Sequence, residues 1–215
     1  MERIGATLYL VRHGVTAWNR ELRMQGHKDV PLDDEGLMQA QLVAARIAAL
    51  PKRPDAVWCS DLVRARATAE IVAQAVDAPL CIRQELREVR LGDWEGLTRA
   101  DIEARGEQAQ FELYLRDSLR HRPPNGETWE QVWTRIAALS DELRTKWIGK
   151  AVAICGHGAS LRAFVGQAVG GGPPILRNLW LDNASLTSLS LAPPGSDPPG
   201  LVWLLNDSSH LSPPD

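Results

Sequence analysis

Apolar runs of strand length alternate with longer segments of helical periodicity along this chain. The first half contains, in order, ATLYLV, EGLMQAQLVAARIAAL, DAVWCS and LVRARATAEIVAQAV. Short apolar runs indicate buried strands, and apolar residues that recur every three or four positions indicate amphipathic helices. The alternation therefore predicts an α/β fold, a three-layer sandwich whose mostly parallel central sheet carries helices on both faces.

The second half of the chain continues this pattern. TWEQVWTRIAALSDELRTKW predicts a helix that opens with a capping box at Thr128 and Gln131, and AVAIC predicts the next strand. GHGASLRAFVGQAV predicts a turn and a helix, and ASLTSLSL and LVWLLN predict a hairpin at the sheet edge. We expect a single domain over residues 1–215, with a mobile tail at 207–215 and a cap-like insertion at 97–126. A plain surface excursion is the alternative for the insertion.

Composition narrows the classes of partner. The 215 residues are 44% hydrophobic and 24% charged, with a formal net charge of −3, as in an ordinary globular domain. We therefore expect neither nucleic acid nor membrane as a partner, since no basic excess and no segment of membrane-spanning length is present. Cys59, Cys81 and Cys155 lack metal-ligand spacing and suit a reducing cytoplasm. The oligomeric state stays open.

Basic side chains follow three of the predicted parallel strands, at the points where the strands end. They are Arg12 and His13, then Arg64, then His157. Ligands of such sheets bind outside the carboxyl ends of the strands, so we expect these side chains to converge. Two guanidinium groups and two imidazoles would repel each other without an anion among them, and arginine matches phosphate oxygens well. The pattern predicts a phosphoryl site.

This site could also perform chemistry. Helices expected to begin near Ser60 and Gly158 would add backbone N–H groups. His13 could attack phosphorus if one ring nitrogen is unprotonated and a hydrogen bond holds the other. Glu88, in ELREVRLGDWEG, could protonate the leaving alkoxide and then activate water. Three neighbouring carboxylates are alternatives for that role: Glu85, Asp93 and Glu95.

Four stretches carry a resemblance to a known family. LVRHGVTAWN, CSDLVRARATAE, ELREVRLGDWEG and ICGHGAS resemble the four ordered motifs of the histidine phosphatase superfamily, which has the phosphoglycerate mutase-like fold. The resemblance covers the chain from about Thr7 to about Leu191. It implies that His13 becomes phosphorylated, that Arg12, Arg64 and His157 hold the phosphoryl group, and that Glu88 donates the proton.

The resemblance also implies a substrate mouth and no cofactor. The residues expected to contact substrate are Thr16, Asn19, Gln25 and Gly26 from the family motifs, with Gly14 and Gly158 from the strand-end pattern. Neither a metal nor an organic cofactor is implied.

The residues around the acid favour one branch of the family. Mutases of this superfamily carry a Glu-Arg-His-Tyr-Gly run and a longer insertion, whereas this chain has Val89 and Leu91 in place of the arginine and tyrosine. LREVRLGDWEGLT looks more like the broad-specificity, α-ribazole and glucosyl-3-phosphoglycerate phosphatases. We therefore expect a phosphomonoester hydrolase for a small phosphorylated metabolite. A 2,3-bisphosphoglycerate-dependent phosphoglycerate mutase is the alternative, and a non-enzymatic phosphoryl-binding module is a second one.

Several polar residues allow two interpretations. A basic segment could form a rim for anionic substrates or a solvated helix end; its members are Arg116, Arg120, His121 and Arg122. Arg64 could instead pair with Asp61 or Glu70 on the helix surface. His27 and His210 lie outside any motif, and we expect them at the surface.

Overall fold

A single six-stranded sheet forms the centre of the molecule. The computed structural model describes residues 5–212, so residues 213–215 of the predicted tail lie outside the described part. The strands are β1 (Ala6–Arg12), β2 (Ala56–Cys59), β3 (Leu80–Ile82), β4 (Ala151–Gly156), β5 (Leu186–Leu191) and β6 (Gly200–Asp207). Their spatial order is β3-β2-β4-β1-β5-β6. The first four strands are parallel, and β5 and β6 form the predicted antiparallel hairpin at one edge.

Helices cover both faces of this sheet. They are α1 (Ala17–Arg20), α2 (Asp34–Ala48), α3 (Val63–Val76), α4 (Arg99–Ala104), α5 (Gln108–Arg116), α6 (Trp129–Lys146) and α7 (Gly158–Ala168). Leu8 and Leu10 of β1 point into the core under α6 and α7, whereas Tyr9 and Val11 point into the core under α2 and α3. This alternation confirms the three-layer α/β sandwich. Among the described residues, no helix is long and apolar enough to cross a membrane.

The strand register brings the predicted chemistry to one edge of the sheet. Arg12 at the end of β1 lies opposite Gly156 of β4, and Cys59 at the end of β2 lies opposite Cys155 of β4. The three strands are parallel, so the residues that follow them meet at the carboxyl edge. His13 and His157 are therefore near neighbours although they are far apart in sequence.

The first turn of α3 differs from the prediction. We expected this helix to begin near Ser60, but it begins at Val63. The Ser60 hydroxyl accepts from the backbone N–H of Leu62 at 3.2 Å, and the Asp29 carboxylate accepts from the N–H of Val63 at 2.7 Å. A carboxylate from a distant loop therefore binds a backbone N–H group at the start of α3. The helix α7 begins at Gly158 as predicted.

The segment 97–126 contains the two short helices α4 and α5. Their apolar side chains Ile102, Phe111 and Tyr114 are buried in the same core as α6 and α7. The Phe111 and Tyr114 rings pack edge-on against Trp94, with ring centroids 5.4 and 5.7 Å from it. The segment thus places Tyr114 beside the carboxyl edge of the sheet.

Gly14 and Gly36 form a close backbone contact at that edge. A Cβ on Gly14 would lie 2.3 Å from the carbonyl oxygen of Gly36, and a Cβ on Gly36 would lie 2.0 Å from the carbonyl oxygen of Val15. Real Cβ atoms do not approach backbone oxygens so closely. Glycine at both positions lets the loop after β1 pack directly on the first turn of α2.

Candidate active site

A cavity of about 200 Å³ opens at the carboxyl edge of the sheet. Arg12, His13, Arg64 and Glu88 line it together with residues of the segment 19–26. The ring centroids of His13 and His157 are 5.2 Å apart. The structure therefore brings together the five residues to which the sequence assigned the chemistry.

The His13 imidazole is held by its own loop. Its Nδ1 lies 2.7 Å from the carbonyl oxygen of Gly14, and a carbonyl can only accept, so Nδ1 carries the proton. Burial lowers the pKa of His13 well below its usual value, and the guanidinium groups of Arg64 and Arg12 lower it further. The ring is therefore neutral at physiological pH, with Nε2 as its unprotonated nitrogen.

The two arginines are fixed through their terminal nitrogens. Arg12 Nη1 donates to the carbonyl of Leu181 at 2.6 Å, and Arg64 donates to the carbonyls of Lys28 and Gly26, both at 2.8 Å. Burial lowers the pKa of Arg64 to about 10, with the Glu88 charge acting in the opposite direction. Both guanidinium groups thus remain protonated at neutral pH and rigidly placed.

Several buried polar atoms beside His13 have no protein partner. Within residues 5–212, both ring nitrogens of His157 lack a hydrogen-bond partner, and so do the Nε atoms of Arg12 and Arg64. Burial, followed by the charge of Arg64, lowers the pKa of His157 well below its usual value. Buried polar groups normally have a partner, so this cluster of donors indicates a site that binds an anion.

Glu88 faces the same cavity. Its Oε1 accepts from the backbone N–H groups of Val89 and Ala159, both at 2.9 Å. Ala159 belongs to the first turn of α7, directly after His157, so one helix terminus positions both side chains. No described residue donates to Oε2 of Glu88, and this oxygen stays free for an exchangeable proton.

The alternative carboxylates are engaged elsewhere. Glu95 Oε1 accepts from the backbone of His27 at 2.8 Å and of Leu91 at 3.1 Å. Asp93 accepts from the side chain of Asn125, and Glu85 lies 3.5 Å from Arg83. Among these carboxylates Glu88 alone lines the cavity.

The residues expected at the substrate mouth divide into two groups. Asn19, Gln25 and Gly26 line the cavity, and the buried Oε1 of Gln25 has no partner among the described residues. Thr16 is buried as the N-cap of α1, where it forms a reciprocal capping box with Asn19.

The two predicted glycines have different surroundings. Gly14 makes the close backbone contact with Gly36, and its carbonyl accepts the hydrogen bond from Nδ1 of His13. A Cβ on Gly158 would lie 3.5 Å from Glu88 Oε2, which is ordinary van der Waals distance.

The basic segment on the cap does not line the site. Its four members are exposed and none lines the cavity; they are Arg116, Arg120, His121 and Arg122. Arg64 does not make the surface pairs that were its alternative. Asp61 pairs with Arg87, and Glu70 pairs with Arg66.

Sequence patterns missed three residues that support this site. The Asn183 side chain donates to the carbonyl of His13 at 2.9 Å and lies 3.5 Å from Nδ1 of the same residue. Arg135 and His27 both donate to the backbone carbonyl of Glu88, at 2.9 and 2.8 Å. His27 is therefore not the free surface residue that we expected, and none of the three stands in a motif that signals its role.

His210 also differs from the expectation of a plain surface residue. It is only partly exposed, and its Nε2 lies 3.0 Å from the carbonyl oxygen of Ala184. Ala184 in turn donates its N–H to the carbonyl of Arg12 at 2.9 Å. The C-terminal segment thus braces the loop that carries Asn183.

The fold and this cavity together define a class of protein: the α/β proteins that hold a phosphoryl group between histidines and arginines at the ends of strands. A family model described as the histidine phosphatase superfamily (branch 1) matches residues 8–198. The chain belongs to this superfamily. In the described part of the chain, no group of three or more His, Cys, Asp or Glu side chains could hold a metal ion.

Known proteins of this family resemble the chain over nearly its whole length. It is 32% identical over 215 residues to a protein of Escherichia coli O1:K1 named "Probable phosphoglycerate mutase GpmB", covering 96% of this chain and 95% of that one. The solved structure of Bacillus stearothermophilus YhfR has a TM-score of 0.85 and 30% identity, covering 96% of this chain and all of that one.

A solved mycobacterial glucosyl-3-phosphoglycerate phosphatase has a TM-score of 0.81 and 28% identity, covering 94% of this chain and 99% of that one. The superfamily match assigns the chain to the histidine phosphatases, and this phosphatase is one of the solved structures that it resembles.

The lowered histidine pKa values predict a pH-dependent stability. The unfolded chain binds a proton at each histidine below about pH 6.5, whereas His13 and His157 stay neutral in the folded state. The free energy of unfolding should therefore fall as the pH drops through this range, by up to about 1.4 kcal/mol per pH unit for each histidine. Between about pH 7.5 and about pH 5.5, the free energy of unfolding of the His157→Gln variant should fall by about 1.4 kcal/mol less than that of the unmodified protein. Urea unfolding at both pH values measures this difference, and equal losses in the two proteins would contradict it.

Proposed function

We propose that the chain hydrolyses small phosphomonoesters through a phosphate carried covalently on Nε2 of His13. The observation that carries the proposal is the hydrogen bond from Nδ1 of His13 to the Gly14 carbonyl, which leaves Nε2 as the free nucleophile. Arg12 and Arg64 line the same cavity as His13, the His157 ring lies next to that of His13, and their unpartnered nitrogens suit the three outer oxygens of a phosphoryl group.

The first step transfers the phosphoryl group to the protein. The lone pair of His13 Nε2 forms a bond to phosphorus while the bond from phosphorus to the alcohol oxygen breaks. Glu88 supplies a proton to the departing oxygen from its carboxyl group. The Arg12 and Arg64 guanidinium groups stabilise the charge on the phosphoryl oxygens without moving, because backbone carbonyls already hold them.

The second step releases phosphate. Glu88 takes a proton from a water molecule, whose oxygen bonds to phosphorus as the bond to His13 Nε2 breaks. Inorganic phosphate leaves, and Glu88 is again protonated for the next substrate.

We also propose a cytoplasmic location for this enzyme, since Cys59, Cys81 and Cys155 are all free thiols and suit a reducing compartment.

Replacement of the nucleophile should abolish turnover. His13→Ala should lower kcat for p-nitrophenyl phosphate at least about 1000-fold, since no other group replaces the nitrogen that attacks phosphorus. The exposed residue His121 offers a matched control, and His121→Ala should keep the original rate. Mass spectrometry after rapid quenching in an alkaline denaturant, which preserves the acid-labile phosphorus–nitrogen bond, should detect a phosphorylated residue at His13. Turnover by His13→Ala at the original rate would exclude this mechanism.

The effect of replacing the proposed acid, Glu88, on the rate should depend on the leaving group of the substrate. Glu88→Gln should lower kcat/KM for alkyl phosphates by about 100-fold or more, because a poor leaving group needs a proton, and for p-nitrophenyl phosphate by less than about tenfold. The parameter kcat/KM covers the steps up to phosphoryl transfer to His13, so it does not depend on the later role of Glu88 toward water. Glu85→Gln is the control, since that carboxylate pairs with Arg83 outside the cavity. Equal loss of kcat/KM for both substrates in Glu88→Gln would show that another group is the acid.

Phosphoglycerate mutase activity is the second candidate, and the name of the Escherichia coli relative favours testing it. The cavity wall argues for hydrolysis, because Val89 and Leu91 line it and offer no hydrogen bond to a second acidic group of a bound acceptor. Incubation with 3-phosphoglycerate and a 2,3-bisphosphoglycerate primer should yield inorganic phosphate. Conversion to 2-phosphoglycerate without phosphate release would instead establish the mutase.

A further inference from the structure

A second and larger cavity adjoins the catalytic one. It measures about 530 Å³, and its lining residues are Tyr114, Leu115, Ser118, Leu119, Trp129, Pro174, Arg177 and Asn178. Tyr114 belongs to the walls of both cavities, so the two are separated by no more than one side chain. Ligand pockets commonly enclose about 300–1,000 Å³, whereas the catalytic cavity of about 200 Å³ suits a phosphoryl group and a few further atoms.

Hydrogen bonds and ring contacts hold the walls of the larger cavity in place. The Trp129 indole N–H donates to the Tyr114 hydroxyl at 3.0 Å, and the Arg162 guanidinium lies 4.4 Å from the centre of the Trp129 ring. Arg162 also donates to the carbonyls of Gly158, Leu176 and Leu179. The wall formed by residues 173–178 is therefore tied to the first turn of α7, beside Glu88.

The chemistry of the lining indicates what it can bind. Tyr114, Trp129 and the aliphatic side chains offer an apolar surface that suits a ring or a short hydrocarbon body. Arg177 is the only charged residue in the lining. Its Nη2 donates to the Leu115 carbonyl at 3.3 Å, and its other nitrogens bond to no residue of the described chain.

The remaining polar groups of the lining are also available. The Ser118 hydroxyl and the Asn178 amide form no hydrogen bond with any residue between 5 and 212. The basic segment that includes Arg120 lies outside both linings. The lining of the larger cavity thus combines apolar side chains with one cation and two neutral polar groups.

We infer that this cavity is the leaving-group subsite, and that it selects phosphomonoesters whose alcohol carries an apolar body and a carboxylate paired with Arg177. This inference rests on the proposed hydrolysis at His13. It adds the substrate class: the phosphoryl group occupies the smaller cavity, the alcohol extends past Tyr114 into the larger one, and the carboxylate meets the Arg177 guanidinium.

A pair of matched substrates tests the subsite. Phenethyl phosphate and its para-carboxy analogue have similar leaving groups and differ by one carboxylate. The unmodified protein should prefer the carboxylate by about tenfold in kcat/KM, and Arg177→Leu should reduce this ratio to about one. Arg120→Leu removes an exposed arginine outside both linings and should keep both the ratio and the basal rate with p-nitrophenyl phosphate.

A second variant tests the cavity rather than the charge. Leu119→Trp should fill part of the space and raise KM for both phenethyl substrates relative to p-nitrophenyl phosphate. A ratio that Arg177→Leu leaves unchanged, or KM values that Leu119→Trp leaves unchanged, would overturn the subsite. Hydrolysis of all three substrates with no preference would overturn it while the proposed function stands. Failure of the unmodified protein to release phosphate from any of them would instead overturn the proposed function.

Discussion

The hydrogen bond between Nδ1 of His13 and the carbonyl of Gly14 is the interaction on which the rest of the site depends. It sets the tautomer, and it fixes the ring at the end of a strand that is bonded on both sides within the sheet. Burial beside two guanidinium groups keeps the ring neutral, so the proposed nucleophile is unprotonated before substrate arrives. Gly14 and Gly36 also let the loop after β1 pack directly on α2.

Positive charge is held in the crevice by backbone carbonyls rather than by carboxylates. Arg64 reaches the carbonyls of Gly26 and Lys28, and Arg12 reaches that of Leu181. A carboxylate partner would neutralise each guanidinium group and compete with the phosphoryl oxygens. Carbonyl partners orient the group and leave its full charge for the substrate. The helix α7 contributes differently, because its first turn binds Glu88 instead of the phosphoryl group.

In the proposed function, the two cavities separate the reaction from the choice of substrate. The smaller cavity is lined by Arg12 and His13, by Arg64, and by residues of the segments 19–26 and 88–91, and it is where we propose that the phosphoryl group binds. The cap helix α5 and the segment 173–178 contribute most of the larger one. Relatives on this fold carry the names of different activities, as expected where a shared core bears variable surroundings. Arg162 links the two parts, since it contacts both α7 and the wall of the larger cavity.

Local patterns in the sequence were sufficient for the layers of the fold and for four of the five central residues. The alternation of strand and helix periods predicts the parallel sheet. Arg12, His13 and His157 stand at or directly after a strand end, and Arg64 lies in the first turn of the helix after β2, at the edge where such sheets bind ligands. Glu88 was predictable only with its motif, because it stands in a loop among other carboxylates. The contacts of Glu95 and Asp93 then distinguish it from them.

Only the tertiary structure decided which distant groups support these residues. Asn183 is 170 residues from His13, and Arg135 and His27 are 47 and 61 residues from Glu88, so no local period or spacing could pair them. The same reason explains the start of α3, where Asp29 bonds Val63 from 34 residues away. The larger cavity likewise exists only because α5, α6 and the segment 173–178 pack together. The sequence by itself thus determined the sheet and the reactive groups at its edge, through local periodicity. Packing decided their orientation and the space for the alcohol, because both depend on contacts between residues far apart in the chain.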